Sequence, residues 1–263
     1  MSTSTQSLGT RALITGGTAG LGLDFARQLA AEGLHLVLVA RNAQRLADTA
    51  AELRERYGVG VETLTADMAS REDVAAIARR LQSPEDPIDV LVNNAGHGMH
   101  LPLATTDMSE HDRSLDVMVR AVLVLGGAAA ATMRERGRGA IINVASVASF
   151  IPMGAYSAIK AWVRTYSESL SIELAGTGVR AIALLPGWVR TEFHDRAQIR
   201  TSSIPSFLWL SSPRVVRDCL AALRRGKDRS IPSLRFRVAV FLAQHAPRPT
   251  VRWAAAKIKG GRE

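Results

Sequence analysis

Cysteine is almost missing from this chain: Cys219 is the single one among 263 residues. No intrachain disulfide framework can form, a cluster of cysteine metal ligands is excluded, and a reducing compartment is expected. Residues 1–9 hold serine and threonine but neither a basic flank nor an apolar core, so no secretory signal is expected. Apolar-leaning stretches fall well short of a membrane span. Acidic side chains are scarce in one region only. Residues 1–213 carry 20 basic against 21 acidic side chains, whereas residues 214–263 carry 13 against 3. The net charge of +9 therefore belongs to the end of the chain. A basic surface spread over the whole molecule is lacking, and no nucleic-acid partner is expected. With 47% hydrophobic and 22% charged residues, disorder of the whole chain is excluded.

What is present is alternation. Residues 11–15 (RALIT) are a short apolar run, followed by glycines and an amphipathic stretch over 21–31. Gly33 punctuates it, and 34–40 (LHLVLVA) is a second apolar run. Helical spacing recurs over 43–57, 72–81, 112–133 and 156–174, and strand-like runs over 61–65, 88–92, 140–144 and 179–185. Apolar strands separated by helical patterns predict βαβ units and a parallel sheet covered on both faces. The expected fold is α/β: one doubly wound Rossmann-type domain over about residues 10–235, then a basic amphipathic extension over 236–263. Pro247 and Pro249 split that extension into two short segments.

Residues 15–22 read TGGTAGLG, which puts Gly16, Gly20 and Gly22 between the first strand and the first helix. Small residues are required where a backbone turns sharply and lets a pyrophosphate reach the amides of a helix N-terminus. A plain glycine turn is the alternative, but the strand–turn–helix context favours a dinucleotide. The second strand ends at Ala40 and Arg41. A carboxylate there would accept from the ribose 2′-hydroxyl, which Ala40 cannot do. Arg41 suits a 2′-phosphate by charge and bidentate geometry, favouring NADP(H) over NAD(H). The competing reading is a solvated helix-start arginine. Asn42 is placed to cap the next helix.

These residues open an ordered set: TGGTAGLG, then Asn93-Asn94-Ala95-Gly96, then Tyr156-Ser157-Ala158-Ile159-Lys160, then Pro186-Gly187 with Thr191. The set resembles the short-chain dehydrogenase/reductase family over about residues 10–200. The resemblance implies dinucleotide contacts from Gly16, Thr18, Gly20, Leu21, Gly22, Arg41, Asp67, Met68, Asn94, Ala95, Gly96, Tyr156, Lys160, Pro186, Gly187, Val189 and Thr191. Asp67 would touch the adenine and Asn93 would brace the central strands. The backbone after Pro186 and the Thr191 hydroxyl would hold the nicotinamide carboxamide. A helix cap for Asp67 and a plain turn for the NNAG stretch stay open. The resemblance also implies a homo-oligomer, dimer or tetramer, built through the long helices.

Tyr156 and Lys160 are four positions apart, so both leave one face of a helix. A tyrosine with pKa near 10 is a poor acid–base catalyst at neutral pH. A neighbouring ammonium stabilises the phenolate and lowers that value. The resemblance implies that Tyr156 protonates a carbonyl oxygen as hydride reaches its carbon, that Lys160 also holds the cofactor ribose, and that Ser146 orients the substrate oxygen. Two departures stand out. Ser146 and Tyr156 are ten positions apart, fewer than the family usually has, so the loop 147–155 is short and the pocket wall should differ. Asn143 occupies the usual place without a hydroxyl, and Ser149 is the fallback. Met118 stands where the family carries an asparagine that organises a water relay to the lysine, and a thioether holds such a water poorly.

His97 and His100 line the site mouth or belong to loop surface and cofactor packing, the second reading being preferred. His194 falls in a lid-like segment made apolar by Trp188, Phe193, Phe207, Trp209 and Leu210. Such a lid suits a hydrophobic substrate, or simply packs on the core. Cys219 is expected to be inert core, and no metal site is expected. The basic tail has three readings: a membrane-surface helix pair with Phe236, Val240, Phe241, Trp253 and Ile258 facing lipid and arginines facing headgroups, packing on the body or a second subunit, or a frayed end. The location expected is cytoplasmic, with peripheral membrane contact if the first reading holds. The expected activity is NADP(H)-dependent interconversion of a carbonyl, ketone or aldehyde, and an alcohol, on a hydrophobic substrate and with Tyr-Lys-Ser catalysis. The alternative is a cofactor-binding sensor or scaffold with little turnover.

Overall fold

The computed structural model describes residues 8–99, 101–191 and 205–260. Its strands are β1 (Arg11–Thr15), β2 (His35–Ala40), β3 (Val61–Thr65), β4 (Val90–Asn93), β5 (Gly139–Val144), β6 (Val179–Leu184), β7 (Val189–Arg190), β8 (Leu210–Ser211) and β9 (Arg229–Ser230). Its helices are α1 (Gly20–Ala31), α2 (Ala43–Tyr57), α3 (Arg71–Gln82), α4 (Ser109–Glu135), α5 (Ala155–Glu173), α6 (Ser212–Arg224), α7 (Leu234–His245) and α8 (Arg248–Gly260). Seven strands pair in parallel in the order β3-β2-β1-β4-β5-β6-β9, while β7 and β8 pair with each other.

Alternate strand residues serve opposite faces. Ala12, Ile14, Leu36 and Leu38 pack with Phe25 and Leu29 of α1, Leu46 and Leu53 of α2, and Val215, Cys219 and Leu223 of α6. Leu13, Val37 and Val39 pack with Ile77 of α3, Leu125 and Met133 of α4, and Leu170 of α5. A sheet covered on both sides needs apolar residues at every strand position, which is why the runs do not alternate with polar residues. Each fully buried Leu or Phe stabilises by about 1.5–3 kcal/mol.

Local signals act as expected. Asn42 Oδ1 accepts from the Arg45 amide at 2.8 Å at the head of α2, and Gly58 closes that helix in the left-handed conformation. Between β4 and β5, Asn93 Nδ2 donates to Asn143 Oδ1 at 2.9 Å, and Asn143 Nδ2 donates to Ser167 Oγ on α5 at 3.0 Å. This buried polar chain pins the centre of the sheet to α5.

Two readings change. The helix α4 is long and apolar enough, by length and composition, to cross a membrane, which the sequence reading did not find. Its inner face, with Val117, Met118, Ala121 and Leu125, is buried in the second core, so its apolarity serves the sheet. A π-helical turn, Asp116–Arg120, interrupts it, and the Ala121 amide reaches back to the Asp116 carbonyl. The division drawn at residue 235/236 falls inside α7, which starts at Leu234.

Candidate active site

The chain winds from β1 out to β3, then returns to lay β4 on the other side of β1. At that reversal the strand C-termini leave a crevice. It opens here as one cavity of about 1730 Å³.

The first wall is the glycine turn. Gly16 (φ +66°) and Gly20 (φ +50°) adopt conformations that side chains resist. Gly16, Thr18, Gly20 and Leu21 line the cavity. Gly22 sits one position behind them, packed on the turn itself. A Cβ there would lie 2.1 Å from the Gly16 carbonyl oxygen and 2.5 Å from Asn94 Nδ2, so this glycine allows the turn to pack. The NNAG stretch clamps the turn: Asn94 Nδ2 donates to the Thr15 carbonyl at 2.9 Å, and the Asn94 and Ala95 amides both donate to Thr15 Oγ1 at 3.0 Å. Asn94, Ala95 and Gly96 face the cavity as well. Ala19, at the head of α1, supplies no side-chain cap, so the first-turn amides and the helix dipole are available to an anion.

At the far end, Arg41 and Arg45 both line the cavity. Arg45 Nε donates to the Thr18 carbonyl at 3.1 Å, joining α2 to the glycine turn. Sequence reasoning missed Arg45, which lies on α2 whereas Arg41 precedes the helix, so no helical spacing linked the two. Asp67 and Met68 line the neighbouring wall. Asp67 is paired with Arg113 at 2.8 Å and accepts from the Ala69 amide at 3.0 Å. Burial alone would raise its pKa, but the Ala69 amide and the Arg113 guanidinium outweigh it and hold the carboxyl below its usual value. Ser70, not Asp67, caps α3, accepting from the Asp73 amide at 3.2 Å.

The opposite wall carries Ser146, Tyr156 and Lys160. Ser146 follows β5; its Oγ accepts from the Ala148 amide at 3.1 Å and lies 3.5 Å from the Pro186 carbonyl. Lys160 Nζ donates to the Val144 carbonyl at 2.8 Å and sits 5.8 Å from the centre of the Tyr156 ring. Burial pushes its ammonium down to about 8. Ser149 is buried off the cavity, and Asn143 is committed to the sheet brace, so Ser146 is the hydroxyl on this wall.

Pro186, Gly187, Val189 and Thr191 close the cavity beyond β6. Phe236 of α7 lies against Gly187, where a Cβ would fall 2.1 Å from its ring. Together with Ala239, Val240 and Ala243 it makes α7 part of the cavity wall. Packing on the body was one reading left open for the tail, and Phe236 and Val240, which the membrane reading turned toward lipid, are buried here against the body. Phe150, Ile151, Met153, Trp188 and Leu208 add further apolar surface. His97 also lines the cavity, with Nε2 2.8 Å from Ser114 Oγ; burial lowers its pKa, with the Glu110 carboxylate opposing. Met118 is buried in the π turn of α4, its sulfur 3.2 Å from where a Gly96 Cβ would lie. Cys219 is buried in the first core, which raises its thiol pKa. His100, Phe193 and His194 lie outside the described residues.

Residues 10–201 match the short chain dehydrogenase family. Over 191 residues the chain is 34% identical to the gluconate 5-dehydrogenase of Gluconobacter oxydans, covering 72% of this chain and 74% of that protein. A short-chain dehydrogenase from Sphingobium yanoikuyae in complex with NADPH superposes with a TM-score of 0.82 at 34% identity, covering 89% and 93% of the two chains. The bulky-bulky ketone specific alcohol dehydrogenase from Comamonas testosteroni gives 0.77 at 29% identity, covering 92% and 96%.

Proposed function

Since the chain belongs to the short-chain dehydrogenase/reductase family and is an oxidoreductase interconverting carbonyl and alcohol with a nicotinamide dinucleotide, we propose that it uses NADP(H) and acts on an apolar ketone or aldehyde. One observation carries this reading. A single cavity joins a glycine cradle, two arginines and the Ser146–Tyr156–Lys160 wall, with apolar side chains between that wall and α7. The cradle and the uncapped α1 fit a pyrophosphate. Arg41 and Arg45 fit a 2′-phosphate, and Ala40 leaves no carboxylate at the strand end to repel it. The NADPH in the Sphingobium yanoikuyae structure supports the same preference.

When bound, NADPH supplies the hydride. The chain then has three tasks. Ser146 Oγ hydrogen-bonds the substrate carbonyl oxygen and fixes its direction. The Tyr156 phenol gives its proton to that oxygen as the C–O double bond is reduced, so that one hydride and one proton make the alcohol. The Lys160 ammonium, anchored on the Val144 carbonyl, lowers the cost of the resulting phenolate. The apolar wall of Phe150, Trp188, Leu208 and Phe236 excludes water from these groups and selects a hydrophobic substrate.

The test is calorimetric titration of NADPH and NADH into wild type, Arg41→Ala and Arg45→Ala. NADPH is expected to bind at least about tenfold tighter, a difference of about 1.4 kcal/mol, and each alanine variant to narrow that gap. Equal affinities in wild type would overturn the NADP(H) reading, and no binding of either would overturn the cofactor site. We also propose a homo-oligomer through α4 and α5, where Leu115, Leu123 and Ile172 are exposed by 44%, 49% and 78%. Ile172→Glu is expected to lower the mass seen by light scattering; an unchanged mass would locate any contact elsewhere.

A further inference from the structure

We propose that the outer face of α7, together with the start of α8, docks on the surface of an anionic phospholipid bilayer. The inference concerns the face turned away from the cavity and does not depend on the cofactor or the reaction.

The helix α7 is apolar on two opposite sides. Its inner side, with Phe236 and Val240 buried, forms part of the cavity wall. Its outer side carries Leu234, Val238, Phe241 and Leu242, exposed by 68%, 51%, 58% and 57%. Their spacing places them on one stripe. A helix that is apolar on both sides normally buries both. Among the described residues nothing covers the second. Phe207 and Trp253 are exposed as well, by 59% and 65%.

Charge selects the occupant. By the α-helical step, Arg235 and Arg237 fall roughly a quarter turn to either side of the stripe. Arg235 donates to the Phe207 carbonyl and lies 5.5 Å above its ring, which ties that exposed aromatic to the helix. Arg248 and Arg252 are exposed at the start of α8. Between Asp228 and Glu263 the chain has eight Lys and Arg and no Asp or Glu. An apolar stripe flanked by arginines is the pattern of a helix lying in a lipid interface, with apolar side chains among acyl chains and guanidinium groups among phosphates. A second copy of this face would set two segments rich in Lys and Arg, each without Asp or Glu between residues 228 and 263, against each other. An anionic bilayer satisfies both the stripe and its flanks. Because the same helix lines the cavity, docking brings the cavity to within about one helix diameter, roughly 10–12 Å, of the lipid. An apolar substrate dissolved in the membrane would then enter without crossing bulk water.

The test is co-sedimentation of the full-length protein with phosphatidylglycerol-containing vesicles and with pure phosphatidylcholine vesicles. Sedimentation is expected with the first and not the second, weakened by added salt. The double variant Val238→Gln with Phe241→Gln changes exposed side chains only and is expected to lose at least about tenfold in partitioning. Its melting temperature and NADPH affinity, measured in parallel, should match wild type and so exclude misfolding. Arg237→Gln with Arg252→Gln should weaken binding to anionic vesicles independently. Three results would overturn the proposal. One is no sedimentation with anionic vesicles. Another is unchanged vesicle binding by the Val238/Phe241 variant with equal retention on duplex DNA, which marks simple polyanion attraction. The third is a wild-type oligomer that this variant dissociates, which makes the stripe a contact between copies.

Discussion

Tyr156→Phe is expected to lower NADPH-dependent carbonyl reduction by about 10²–10⁴-fold, the range for loss of a positioned general acid. NADPH affinity should stay within a factor of about three, less than 1 kcal/mol. The substitution removes one oxygen and keeps the ring. The Tyr156 ring is half-buried against the core between the sheet and α3, α4 and α5, and that packing is kept by phenylalanine. Stopped-flow turnover with a panel of apolar ketones and aldehydes, beside calorimetric titration of NADPH, separates the two quantities. A variant as active as wild type would remove Tyr156 from the chemistry. Wild type that binds NADPH yet reduces no carbonyl in the panel would favour the sensor or scaffold reading. That reading rests on the short loop between Ser146 and Tyr156 and on Met118, whose thioether lies in the π turn of α4 beside Gly96 and offers no good acceptor to a water. Ser114, one turn before Met118 on α4, is wholly buried and hydrogen-bonded to His97. His97 lies within the electrostatic reach of Lys160.

The sheet was legible because its strands are buried on both faces. Runs such as LVLV around residues 36–39 have only one interpretation once a helical pattern follows each of them. The glycine turn was legible because backbone geometry admits few residues there, although the close packing of Gly22 on Asn94 needs the second strand–turn unit in place to be seen. What escaped was set by partners distant in sequence. Asn143 stood in the usual place of the serine without a hydroxyl to offer, and it is the middle of a buried chain from Asn93 to Ser167. Arg45 was hidden because helix phase alone does not say which face of α2 meets the glycine turn. For α7 the apolar residues Phe236 and Val240 were visible, but whether they faced lipid or the body was not. The arginines at 235 and 237 dominate its composition, while Phe236 between them is the residue that packs on Gly187. A helix with apolar residues on two sides has no single apolar face for a periodicity argument to find.

Lys160→Met should separate stability from activity, because the wild-type lysine is charged in a place that disfavours charge. Its ordinary pKa is 10.5, and burial lowers it to about 8 in the folded protein. The sign follows from which state holds the proton more firmly. Between about pH 8 and 10.5 the unfolded chain is protonated at this position and the folded chain is not, so the contribution to stability rises with pH across that window. Below about pH 8 the folded protein carries the whole cost of the buried ammonium, about 3 kcal/mol at 1.36 kcal/mol per pKa unit. Methionine fills a similar volume without charge. It also leaves the Val144 carbonyl without the Nζ donor now 2.8 Å away, a loss of about 1–3 kcal/mol. The balance at pH 7 is a gain of about 1 kcal/mol, or roughly 2–4 °C in melting temperature for a domain of this size. Turnover should fall by about 10²–10⁴-fold in the same protein, since the phenolate of Tyr156 loses its ammonium. Thermal melts of both cofactor-free proteins at pH 7 and pH 9 read the prediction. Wild type should gain on the variant between the two, and parallel shifts would mean that some other group titrates. Loss of turnover without that crossing would keep Lys160 in the chemistry and remove the argument that its burial is a cost the fold carries for function.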